Sequence, residues 1–209
     1  MNPFRTFILC LCLLVTAGTG SADSATKKTK STFTNAARPH STRQPMPAIL
    51  AAMPVPNLYL DTSTIGGYFD DEWQEATREL WRQMEAGQWH FLTSAVTTDE
   101  LTAAPERVRE LFANTFPAET VLGISAETER LAAASMSRHI LPPKYTDDAR
   151  HVAVCTVAQI EYLVSWNFKH LVNVQREAGF NAVNLLQGYR SVRIVNPLEL
   201  IYGNQDQNF

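Results

Sequence analysis

The chain has 209 residues, 45% hydrophobic and 19% charged, which suits one domain with a substantial core plus a tail and excludes a chain disordered throughout. Its net charge of -3 is unevenly spread: residues 1–56 hold six Lys/Arg (Arg5, Lys27, Lys28, Lys30, Arg38, Arg43) against Asp23, so the remainder carries −8. An acidic folded part argues against a broad nucleic-acid-binding surface and leaves room only for a local basic rim.

Residues 1–22 have the makeup of a secretory signal. Met1–Arg5 is a short basic start, Thr6–Ala17 is apolar, and Gly18–Ala22 offers small residues for cleavage. The stretch is too short for a stable membrane span. An equal reading is a mis-called start, with Met53 opening the domain. The first reading implies export and the second a cytoplasmic protein. Residues 23–56 are rich in Ser, Thr, Ala, Lys and Pro without an apolar period, the mark of a disordered linker. The domain is expected over 57–204, with 205–209 a tail.

Within the domain, Leu58-Tyr-Leu60 predicts a short buried strand ending at Asp61. A short helix is expected near 64–69. A longer one near 71–86 has Trp73, Ala76, Leu80, Trp81 and Met84 on one side and is stopped by Gly87. Residues 89–94 read as a second strand, 96–103 and 105–114 as helices, and 125–140 as a helix broken by Pro142-Pro143. A central helix follows from about 145 to 158, with Ala149, Val152, Ala153, Thr156 and Val157 on one face and Asp147 and Asp148 in its first turn. Tyr162–Ser165 is a strand, 170–178 a helix, Gly179-Phe-Asn a turn, 192–195 a last strand and 197–202 a short helix. Alternating strands and helices give an α/β class with a small, mainly parallel sheet. No phosphate-cradling glycine loop, dinucleotide fingerprint or nucleophile elbow is present. Cys10, Cys12 and Cys155 have neither metal-site nor disulfide-framework spacing, and Cys155 reads as a small buried apolar residue.

Three acids stand at strand–helix junctions or in early helical turns: Asp61, Glu100 and Asp148. In a parallel sheet they project from one edge, where clustered carboxylates call for a hard dication. Each also has a purely structural reading. Asp61 could cap the following helix, Thr97-x-x-Glu100 is a capping-box pattern, and Asp147 or Asp148 could be ordinary first-turn acids.

The order Leu58-Tyr-Leu-Asp61-Thr-Ser63, Asp99-Glu100-Leu101, Asp147-Asp148-Ala-Arg-His-Val-Ala153 and Val164-Ser-Trp-Asn167-Phe-Lys-His170 resembles the PIN-domain family, which includes the nuclease toxins of toxin–antitoxin pairs. The resemblance runs from about Asn57 to Ile201. It implies a PIN-like three-layer sandwich and a metal-dependent ribonuclease using Mg2+ or Mn2+. RNA would be the substrate, with an antitoxin protein as a further partner and a homodimer as an open arrangement. Carried over by position, Asp61, Glu100 and Asp148 are the metal-binding acids, and Asn167 stands where the family often has a fourth acid. The departure at Asn167 bears on a second metal site and leaves a non-catalytic, PIN-like partner-binding module as the rival. Ser63 and Ser165 could orient water, or be bystander hydroxyls. His151 reads as a packed histidine, Arg150 as half of a surface charge pair, and Lys169 and His170 as phosphate contacts or a solvated helix start. The four tryptophans read as core or dimer contacts, with Trp166 the best candidate for base stacking.

Overall fold

The computed structural model describes residues 54–203. The signal-like stretch, nearly all of the expected linker, and the 205–209 tail lie outside these residues. Five strands form one sheet: β1 Asn57–Leu60, β2 His90–Ser94, β3 Val121–Leu122, β4 Tyr162–Val164 and β5 Arg193–Val195. The spatial order is β3-β2-β1-β4-β5, and every pairing is parallel. The expected α/β class is therefore what the chain adopts, with the sheet wholly parallel. β3 was not foreseen, because two residues are too few to show a period.

The strands are buried on both faces, as parallel strands covered by helices must be. Side chains alternate between two cores. Leu58, Leu60, Val164 and Val195 point into one, with Ile65, Leu80, Trp81, Phe91, Val108, Phe116 and Trp166. Tyr59, Leu163 and Ile194 point into the other, with Leu131, Val152, Cys155 and Phe180. Trp73 and Trp89 pack against the first core, so all four tryptophans lie on one side of the sheet.

Eight α-helices connect and cover the described strands: α1 Thr62–Gly67, α2 Gln74–Glu85, α3 Ala95–Leu101, α4 Glu106–Thr115, α5 Ala126–Ser137, α6 Thr146–Val157, α7 Val174–Leu186 and α8 Pro197–Gly203. Gly87 follows α2 at φ 75° and ends it as expected. The region after β4 departs from expectation. Residues 168–171 are a turn, and α7 runs straight through Gly179, whose sequence context predicts a turn. Gly179 is there for packing: a Cβ would lie 3.3 Å from Ile140 Cγ2. The true start of α7 is Asn173, whose side chain accepts from the amides of Gln175 and Arg176. Among the described residues, no helix is long and apolar enough to cross a membrane.

The strand order fixes where a site can form. From β1 the chain moves outward through β2 to β3, then returns to lay β4 on the other side of β1. That reversal makes the carboxyl ends of β1 and β4 a topological switch point, where open parallel sheets form a crevice. Asp61 follows β1 directly, and Ser165, Trp166 and Asn167 follow β4.

Candidate functional site

Asp61 is both a cap and a hub. It is the N-cap of α1, accepting from the Thr64 amide at 2.9 Å. The Ser63 hydroxyl donates to it at 2.8 and 2.9 Å, and Ser165 Oγ donates to its Oδ2 at 2.6 Å. The same two hydroxyls accept the amides of Trp166 and Asn167, at 2.8 and 2.9 Å. The two serines thus clip the end of β1 to the end of β4. Asp61 is 3% exposed. Burial raises its pKa, against the opposing pull of His151, Ser165, Thr64 and Ser63.

Asp148 enters from the first turn of α6 and is buried. Its Oδ1 accepts from Asn167 Nδ2 at 3.0 Å, while its Oδ2 is buried with no hydrogen-bond partner. Burial pushes its carboxyl up to about 7; His151 opposes the rise, and the neighbouring charges of Asp61 and Glu100 add to it. Asp147, one residue earlier, faces outward and pairs with Arg150 at 2.8 Å, and Arg150 also reaches Glu129 at 3.0 Å. Arg150 is the surface charge pair expected of it.

Glu100 lies near the end of α3, and the capping-box reading does not hold. α3 starts at Ala95 after Ser94, so Thr97 is already inside the helix. Glu100 instead accepts from the Thr62 hydroxyl and from His151 Nε2, the latter at 3.1 Å. Burial would raise its pKa, but the His151 and Thr62 hydrogen bonds and the His151 charge outweigh that and lower it.

His151 is packed at 2% exposure and stands near the acids, both as expected; its partners Tyr59 and Glu100 are new. Its Nδ1 lies 2.7 Å from the Tyr59 hydroxyl, which lies 2.6 Å from Ser94 Oγ. Burial works against its charge, yet Tyr59, Glu100 and Asp61 together raise its pKa well above the usual value. The pKa of Tyr59 is itself raised by burial, so of the groups that raise the His151 pKa the carboxylates of Glu100 and Asp61 are the ones that can carry charge near neutral pH. The signal for this group was in the sequence. His151 is three residues after Asp148, hence on the same helical face, and a phenol inside a buried aliphatic strand needs a polar partner.

His170 is buried, with neither ring nitrogen hydrogen-bonded, and its ring centroid is 3.7 Å from that of Tyr145. Burial, with Lys169, Arg176 and Lys144 nearby, lowers its pKa to about 4. It is neither a phosphate contact nor a solvated helix start. Trp166 is 1% exposed, stacks on Trp73 at 4.5 Å and donates to Thr77 Oγ1 at 3.0 Å. No face of it is open to a base.

Among the described residues, no three His, Cys, Asp and Glu side chains stand together as a metal-ligating group. The donor chemistry nevertheless suits a hard dication, which takes carboxylate oxygens. Two acids keep an oxygen in reserve. Asp148 Oδ2 is buried without a partner, and both hydrogen bonds to Glu100 fall on Oε2, leaving Oε1. Asp61 has both oxygens engaged.

No family model matches this chain, and no curated protein matches it. Among solved structures, the chain is similar to the crystal structure of FitAcB from Neisseria gonorrhoeae, with a TM-score of 0.45 and 13% identity over 68% of this chain and 98% of that one. It is also similar to VapBC2 from Rickettsia felis bound to a DNA fragment from its promoter, with a TM-score of 0.42 and 12% identity over 67% of this chain and 98% of that one.

Proposed function

We propose that the chain is an endoribonuclease that hydrolyses RNA phosphodiesters with Mg2+ or Mn2+ and serves as the toxin of a toxin–antitoxin pair. The observation that carries this reading is Asp148 at the switch point of a parallel sheet: one of its oxygens is buried without a hydrogen-bond partner, and its carboxyl feels the charges of His151, Asp61 and Glu100. Acids with displaced pKa values gather at reaction centres, where the chemistry uses them, as well as in structural ion-pair networks. The resemblance of the Asp147–Ala153 and Val164–His170 blocks to the PIN-domain family supports RNA as the substrate and an antitoxin as the partner. Acting on cellular RNA from a start at Met53, the protein would work in the cytoplasm; with residues 1–22 acting as a signal it would be exported.

A bound dication would polarise a phosphoryl oxygen and acidify a water. Glu100 Oε1 and Asp148 Oδ2 are the oxygens free to hold it. Asp61 would be the third acid beside it, with its orientation set by Ser63, Ser165 and the Thr64 amide. Asn167 holds Asp148 from behind and supplies no charge of its own. With its carboxyl near 7, Asp148 carries a proton part of the time at neutral pH, so cation affinity should rise with pH through that value.

One observation favours a second reading, a non-catalytic module that binds a protein partner. The Asn167 amide satisfies Asp148 Oδ1 without any cation. Cleavage of a mixed RNA pool, with and without Mn2+, decides between them. The expected outcome is Mn2+-dependent cleavage by the wild type and none by Asp148→Asn. If folded wild type and Asn167→Asp both leave the pool intact at millimolar Mn2+, the module is the better reading.

A further inference from the structure

The acids of the site come from separate elements, so something must keep Glu100 in register with Asp148. Glu100 lies in the last turn of a seven-residue helix and is only partly buried. A free glutamate there would sample several rotamers and lose side-chain entropy on being fixed. A continuous chain of hydrogen bonds, buried as far as His151, fixes it instead. Ser94 Oγ lies 2.6 Å from the Tyr59 hydroxyl, which lies 2.7 Å from His151 Nδ1; His151 Nε2 lies 3.1 Å from Glu100 Oε2. The Thr62 hydroxyl donates to the same Oε2 from the first residue of α1. The chain thus ties the end of β2, the middle of β1 and the second turn of α6 back to α3.

The donors along this chain can be assigned. A carboxylate only accepts, so Nε2 carries the hydrogen directed at Glu100. If the imidazole is neutral, Tyr59 donates to Nδ1 and Ser94 donates to Tyr59. If it is charged, Nδ1 donates to Tyr59 and Tyr59 donates to Ser94. Both arrangements satisfy the Tyr59 hydroxyl and both ring nitrogens, and both leave the Nε2–H on Glu100. Nothing here depends on the protonation state of His151.

We propose that His151 is a positioning residue for this site: with Tyr59 and Ser94 behind it and Thr62 beside it, it pins Oε2 of Glu100, leaving Oε1 as the oxygen that meets a divalent cation. The assignment of the ligand rests on the function proposed above; the pinning of Glu100 does not. Outer partners of this kind alter metal affinity by about 10–100-fold when removed.

Two substitutions divide the roles of the ring. In His151→Gln the amide nitrogen reaches about as far as Nε2, so the contact to Glu100 is kept and that to Tyr59 is lost. His151→Asn does the reverse. Mn2+ affinity is measured by titration calorimetry on the folded full chain, and Glu100 is located in crystal structures of the metal-free variants. The expected result is affinity within about threefold of wild type for His151→Gln and a loss of about 10–100-fold for His151→Asn, with Glu100 displaced only in the latter. Equal affinities for the two variants would overturn the proposal, because a purely packing role treats them alike. If the wild type binds no Mn2+, the cation reading fails. The metal-free structures then decide the pinning, and an unmoved Glu100 in His151→Asn refutes it.

Discussion

Asp148 holds its proton more tightly in the folded protein than in the unfolded chain, and this has a sign that can be checked. Its carboxyl is pushed up to about 7, against about 3.9 when unfolded. Between those values the native state binds more protons, so this group makes stability fall as pH rises. The cost is absent below pH ~4 and complete above ~7, where linkage puts it at about 4 kcal/mol. Asp148→Asn keeps an oxygen for Asn167 and removes the charge. Urea melts of the metal-free protein from pH 4.5 to 8 should show the variant gaining on wild type as pH rises. A constant difference would mean that Asp148 titrates normally. The sequence made Asp61, Glu100, Asp148 and Asn167 visible as candidates, because each sits at a junction or in a recognisable block. It also favoured Asp148 over Asp147, and the structure turns Asp147 outward to Arg150. The sequence marks Tyr59 as needing a polar partner but does not identify His151 as that partner. The two are 92 residues apart, and no local period encodes a contact of that range.

Helices with clear punctuation were read nearly in full; those whose ends depend on tertiary contacts were not. α2 carries its own stop in Gly87, and α6 its own acidic start. α7 was misplaced because Gly179 looked like a breaker, whereas its missing Cβ makes room for Ile140. Gly67, at the end of α1, is a tighter case. A Cβ there would lie 2.7 Å from Trp166 Cδ1 and Nε1 and 3.0 Å from Thr77 Oγ1. Trp166 is locked between Trp73 and Thr77, so it cannot yield cheaply. Gly67→Ala should cost about 1–3 kcal/mol by overpacking. Gly179→Ala should lie within about 1 kcal/mol of wild type, since a gain of about 1 kcal/mol in helix propensity offsets a small shift of Ile140. Paired denaturant melts test this, and equal costs would show that the Trp166 pocket is looser than its contacts imply.

At the scale of the whole described region, one sheet separates two cores that share its strands. Leu80 lies in one core and Phe180 in the other. Leu80→Ala should cost about 2–5 kcal/mol and Phe180→Ala about 3–5. Because both cores hang on the same five strands, each lesion should lower one cooperative transition in far-UV circular dichroism, and the double variant should show near-additive loss. Two separated transitions would mean that the faces unfold independently. The class and the parallel sheet were legible because the strands alternate with helices; the reversal between β1 and β4 was not, since strand order is set by packing. The division of the cores has a further consequence. All four tryptophans pack on the Leu80 side, and the core around Phe180 has none. Intrinsic indole emission is therefore a one-sided witness. It reports the environment of Trp166, whose neighbour Asn167 touches Asp148, while a loosening confined to the opposite face would pass in the dark.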